Sequence, residues 1–122
     1  MAFVLVVDDD PVFREIAREI LIEGGHEVAT AEDGVKALKA VEARPPDLAV
    51  VDMLMPNRDG IETLGDLRRR WPEVKVIIVS GGARLLDRGP LLNSARGLGA
   101  DATLGKPLDR LMFLDTVRQV LA

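Results

Sequence analysis

The sequence predicts a single α/β domain, residues 1–122, built on a parallel sheet with helices on both faces. Three observations carry this. Short runs that are apolar at nearly every position occur at Phe3–Val7, Leu48–Val51 and Val74–Val79. Strands buried on both faces read this way, whereas a half-exposed strand alternates. Segments with helical spacing lie between the runs, so a strand–helix unit recurs five times. Such alternation implies right-handed crossovers and helices covering both faces of the sheet. Finally, 122 residues suit one sizeable hydrophobic core.

Each element has its own signal. After the strand Phe3–Val7, residues Phe13, Ile16, Ala17, Ile20 and Leu21 follow the i, i+3, i+4, i+7, i+8 spacing of one helix face. Pro11 suits the first helical position, Asp10 suits the cap before it, and Gly24-Gly25 suits the end. A strand over Glu27–Thr30 and a helix over Asp33–Ala43 follow. The strand Leu48–Val51 leads to a helix over Gly60–Trp71, stopped by Pro72. The run VKVIIV at 74–79 is rich in β-branched residues and reads as the fourth strand. A short helix over Pro90–Leu98, a strand over Asp101–Leu104 and a helix over Leu108–Leu121 close the chain. No internal repeat, linker or low-complexity segment interrupts the series.

Composition narrows the function classes. Apolar residues make up 48% and charged residues 30%, an ordinary globular balance. No apolar run approaches the roughly 18 residues of a membrane span, and no secretory leader is recognisable. With no cysteine, disulfides and thiolate metal sites are excluded. A formal net charge of −4 argues against nucleic acid as the main partner. A cytoplasmic setting is expected.

The chemistry collects at strand ends. In parallel open sheets, ligands bind beyond the carboxyl ends of the strands. The first strand runs into Asp8, Asp9 and Asp10, the third into Asp52, the fourth into Ser80, and the fifth leads to Lys106 before Pro107. Neighbouring strands lie about 5 Å apart, so these side chains can converge. Clustered carboxylates make a hard oxygen site suited to Mg²⁺. A carboxylate can also be a nucleophile that forms an aspartyl phosphate, while a lysine and a metal neutralise phosphoryl oxygens.

With these residues in place, the chain resembles the receiver domain of two-component response regulators. VVDDDP at 6–11, VVDMLMPNRDG at 50–60, IIVSGG at 77–82 and LGADATLGKP at 98–107 carry the resemblance, which spans the whole chain. It implies the flavodoxin-like strand order 2-1-3-4-5. It makes Asp52 the phosphoacceptor, with Asp9 and Asp52 on Mg²⁺ directly, Asp8 holding the metal's water and the Leu54 backbone carbonyl a further ligand. Lys106 pairs with the acidic cluster and then with the phosphoryl group, Ser80 is the switch hydroxyl, and a cis bond precedes Pro107. The implied function is a phosphoacceptor module in a two-component phosphorelay, and not a turnover enzyme. Its implied partners are a sensor histidine kinase or histidine phosphotransfer protein and a downstream protein target, with no direct nucleic acid or membrane contact.

The chain departs from the family pattern in two places. Thr103 stands at the switch position that usually holds an aromatic, and no tyrosine occurs anywhere. The stretch between Ser80 and Asp101 is longer than usual, and Gly81-Gly82 with Gly89-Pro90 suggests a long loop there. Residues 81–98 are therefore expected to change on phosphorylation in place of a swinging ring. Plainer roles are expected elsewhere. His26 and Arg68–Arg70 read as solvated, and Trp71 as a cover on the core edge. No residues follow the last helix for an output domain, so the chain is expected to be a stand-alone receiver or a piece of a longer protein. Two other classes compete. A haloacid-dehalogenase-like phosphohydrolase would need a D-x-D first strand and a cap segment. A flavodoxin would place a phosphate loop where three aspartates stand.

Overall fold

A computed structural model of the chain describes residues 1–53, 60–81, 97 and 99–122. The elements run β1 (Phe3–Val7), α1 (Pro11–Glu23), β2 (Glu27–Ala31), α2 (Gly34–Ala43), β3 (Leu48–Asp52), α3 (Gly60–Arg70), β4 (Lys75–Ser80), β5 (Ala102–Gly105) and α4 (Arg110–Leu121). The five strands form one parallel sheet in the order β2-β1-β3-β4-β5. The expected helix over Pro90–Leu98 and the expected changes over residues 81–98 fall largely outside the described residues. Among the described residues, no helix is long and apolar enough to cross a membrane.

The period-two pleat of the strands divides the core into two layers. Leu5, Val7, Ala49, Val51, Val76 and Ile78 pack with Ala37 and Val41 of α2 and Leu64 and Leu67 of α3. The alternate residues Val4, Val6, Leu48, Val50, Ile77 and Val79 pack with Phe13, Ala17, Ile20 and Leu21 of α1 and Phe113 and Val117 of α4. Both faces are thereby buried, which is why the strands read as unbroken apolar runs.

Boundaries move by one or two residues, and side chains explain most of the shifts. Asp33 and Asp109 lie outside their helices because each caps one, accepting from Lys36 N at 2.8 Å and Met112 N at 2.9 Å. Asp10 caps α1 as expected, accepting from Val12 N at 2.9 Å ahead of Pro11. Asp101 precedes β5 and uses its carboxylate to accept from Val76 N at 2.8 Å. Gly25 closes the α1–β2 turn at φ +89°, in the left-handed region where a side chain is strained.

Two expected surface features differ. Arg68–Arg70 is paired, not merely solvated: Arg68 lies 3.8 Å from Asp101, Arg69 pairs with Asp66, and Arg70 lies 3.5 Å from Glu42. Arg70 also stacks over the Trp71 ring at 4.3 Å, and Trp71 packs on the edge of the core. His26 is half-buried, and its Nδ1 accepts from Ala2 N at 3.2 Å. Burial, and then the nearby amino terminus, hold its pKa below the usual histidine value.

Candidate functional site: a carboxylate cluster at the strand ends

The strand order reverses at β1, with β2 on one side and β3 on the other. Such a switch point opens a crevice at the carboxyl ends of the strands. The side chains that meet there continue the rows of the α1/α4 core layer. Val4 and Val6 lead to Asp8, Leu48 and Val50 lead to Asp52, and Ala102 and Leu104 lead to Lys106. The site is therefore the polar last layer of an apolar core.

Asp8 is fully buried and Asp52 is 5% exposed, while Asp9 is open to solvent. One carboxylate oxygen from each of the three lies within 4.8 Å of the others. The Lys106 ammonium sits 2.7 Å from Asp8 Oδ2 and 3.6 Å from Asp52 Oδ1. Asp8 is fixed from several sides. Its Oδ1 accepts from Asp10 N at 2.8 Å, its carbonyl accepts from Arg14 Nη1 at 2.8 Å, and its own N–H donates to Ala31 O at 3.1 Å. Ser80 ends β4, buried, and its carbonyl accepts from Lys106 N at 2.9 Å. The Lys106–Pro107 bond is cis. Thr103 is half-buried on β5, opposite Ile78. Leu54, whose carbonyl the resemblance makes a metal ligand, lies outside the described residues.

Three contributors were not visible as site residues in the sequence. Gly60 lies against the Asp52–Met53 backbone and donates to Met53 O at 2.8 Å. Arg14 holds the Asp8 carbonyl, and its only sequence signal is a cation two turns or fewer into a helix that follows the aspartates. Phe13 places its ring 4.2 Å from the lysine ammonium, yet its spacing marks it only as a core residue.

The family profile described as Response regulator receiver domain matches residues 4–118. The chain belongs to that family. As a receiver domain it is a phosphoacceptor signalling module rather than a turnover enzyme. It is 36% identical over 118 residues to the transcriptional regulatory protein KdpE of Mycobacterium tuberculosis, covering 97% of this chain and 50% of that protein. The chain thus spans about half the length of the curated relatives it matches. Several solved structures match almost end to end, and two of them illustrate the likeness. The receiver domain of NtrX from Brucella abortus has a TM-score of 0.89 at 30% identity, over 97% of each chain. A CheY-like receiver domain protein from Methanospirillum hungatei JF-1 has a TM-score of 0.90 at 29% identity, over 99% of this chain and 94% of that one.

Electrostatics follow from the receiver's packing. Burial, then the Asp8 charge, pushes the Asp52 carboxyl up to about 7, although Lys106 pulls it back. Asp8 is raised too, chiefly by burial and against the pull of Lys106. Burial alone would lower the Lys106 ammonium, but its contacts with Asp8 and Asp52 more than offset this, and its pKa is raised. The cluster fits a hard divalent cation. Three carboxylate oxygens converge, one side remains open through Asp9, and the buried Asp8 Oδ2 touches the ammonium without receiving a well-aligned hydrogen bond. This is the acidic cluster typical of a receiver Mg²⁺ site.

A stability prediction follows. Because Asp52 titrates near 7 when folded and near 3.8 otherwise, the folded state holds the extra proton between those values. Metal-free stability should therefore fall as pH rises through this window, by at most about 1.4 kcal/mol per pH unit for one proton. His26, depressed by burial, contributes with the opposite sign just below 6.5, so the informative quantity is wild type minus Asp52→Asn. Chemical denaturation in chelator from pH 5 to 8 measures it, and a difference that stays flat would contradict the assignment. Mg²⁺ should raise the melting temperature at pH 8, since a ligand bound only by the native state stabilises it. Asp9→Asn should weaken that effect while stabilising the metal-free protein.

Proposed function

We propose that residues 1–122 act as one receiver unit in which Asp52 accepts a phosphoryl group from a phosphohistidine. The observation that carries this reading is the Lys106 ammonium lying 2.7 Å from Asp8 and 3.6 Å from Asp52, beside three converging carboxylates. An Asp52 oxygen forms a bond to phosphorus as the donor's phosphorus–nitrogen bond breaks, and the electron pair leaves with the imidazole. Asp9 and Asp52 would hold Mg²⁺ directly, with Asp8 acting through a water and the Leu54 carbonyl, outside the described residues, as a further ligand. A divalent cation held there would supply positive charge to the phosphoryl oxygens and favour the ionised form of Asp52.

Lys106 then turns from Asp8 toward the new phosphoryl oxygens, and the Ser80 hydroxyl donates to one of them. Thr103, lacking a ring, moves little surface. The donor is a sensor histidine kinase or a histidine phosphotransfer protein, the recipient is a downstream protein, and the setting is cytoplasmic. Neither nucleic acid nor membrane is contacted directly. Intact mass after incubation with acetyl phosphate and Mg²⁺ tests the core of this. One phosphoryl group should add to wild type, none without a divalent cation, and none to Asp52→Ala. Uptake by Asp52→Ala at the wild-type rate would remove Asp52 from its role.

A further inference from the structure

The chain has only four aromatic side chains, Phe3, Phe13, Trp71 and Phe113. One of these stands at the reactive cluster. The Phe13 ring centroid is 4.2 Å from Lys106 Nζ, and the residue itself is 8% exposed. The ammonium thus has Asp8 at 2.7 Å, Asp52 at 3.6 Å and a ring face as neighbours, and its side chain is only 20% exposed. An aromatic face attracts a cation through its quadrupole, and the attraction grows as water is excluded. A leucine or isoleucine would serve the core row that Phe13 shares with Ala17 and Ile20, but it would not attract the ammonium.

The two kinds of contact act differently when charge moves. A carboxylate holds an ammonium through directed bonds, and Asp8 is itself fixed by Asp10 N and Arg14. A ring face has no preferred bond direction in its plane, so the ammonium can pivot over it while leaving one oxygen for another. Resting on the assignment of Asp52 as phosphoacceptor, we infer that Phe13 is a positioning residue for phosphoryl transfer. Its ring keeps the Lys106 ammonium within the cleft while that ammonium moves from Asp8 toward the incoming phosphoryl oxygens.

A cavity-forming change such as Phe13→Ala would confuse this role with packing. Progressively fluorinated phenylalanines placed at position 13 separate the two, because fluorine drains the ring's negative face with little change of volume. The rate of phosphorylation by acetyl phosphate and Mg²⁺ should fall stepwise along the series, by about three- to tenfold at full effect. The melting temperature should not follow that order. Phe13→Leu should lie at or below the slow end. A flat series in a protein that phosphorylates normally on Asp52 overturns the inference and leaves the phosphoacceptor assignment standing. Rates that fall only in step with melting temperature overturn it as well, since packing then explains them. No uptake by the unmodified protein overturns both readings together.

Discussion

Lys106→Met should cost the metal-free protein about 3 kcal/mol of stability at pH 8, and should also nearly abolish phosphoryl uptake. Methionine keeps much of the lysine's length and volume but leaves Asp8, fully buried, and Asp52, 5% exposed, without their cation. Breaking a buried ion pair on one side is expensive because the remaining charge cannot be rehydrated. The cost has a ceiling, since a carboxyl can take up a proton instead. With Asp52 already near 7, that escape is easy at pH 6 and harder at pH 8. The deficit should therefore be smaller at pH 6. Asp8→Asn in the same background should recover part of it. Equilibrium denaturation in chelator at both pH values provides the measurement. A variant as stable as wild type at pH 8 would show that the lysine does not compensate these charges.

Gly60→Ala should destabilise the protein by about 2–4 kcal/mol and cut phosphorylation of Asp52, although it adds a single carbon. A Cβ on Gly60 would lie 2.1 Å from the Asp52 carbonyl oxygen, 2.8 Å from Met53 Cα and 2.9 Å from the Asp52 carbonyl carbon. All three are backbone atoms, so no side-chain rotation can relieve the overlap. Either α3 lifts away or the end of β3 moves, and the carboxylate moves with it. Gly65, within the same helix, is the internal control. A Cβ there meets nothing within 4 Å, so Gly65→Ala should stabilise by about 0.5–1 kcal/mol through helix propensity. Thermal melts and acetyl phosphate kinetics on the two variants test the contrast. Equal behaviour would mean that Gly60 does not support the site.

These two residues also mark what the sequence made legible. Lys106 could be placed because it follows a strand and precedes a proline, and a parallel sheet brings strand ends together whatever the loops do. The same logic located Asp8, Asp9, Asp52 and Ser80, and the unbroken apolar runs revealed a sheet covered on both faces. Gly60 was legible only as a helix start, because a close approach of two backbones leaves no trace in spacing. Phe13 was hidden for another reason. Its periodicity truthfully reports a core position, and the core layer happens to end in the charged cluster. The pKa of Asp52 was out of reach as well, since it depends on burial and on the distances to Asp8 and Lys106 together. The strand and helix ends missed by a residue or two at Asp33, Asp101 and Asp109 were set by carboxylates bonding to particular backbone N–H groups.

The rows Val4–Val6–Asp8, Leu48–Val50–Asp52 and Ala102–Leu104–Lys106 bear on how this chain can change length over time. Inserting one residue within β3 ahead of Asp52 would put the strand before it out of phase with the carboxylate, so that either the apolar rows face the wrong helices or the carboxylate faces the wrong side of the sheet. Inserting two would restore the facing but shift the carboxylate by roughly 7 Å along the strand, past its lysine. Insertions and deletions are therefore confined to the connections, and the strands that end in this cluster can drift in residue identity but not in residue count.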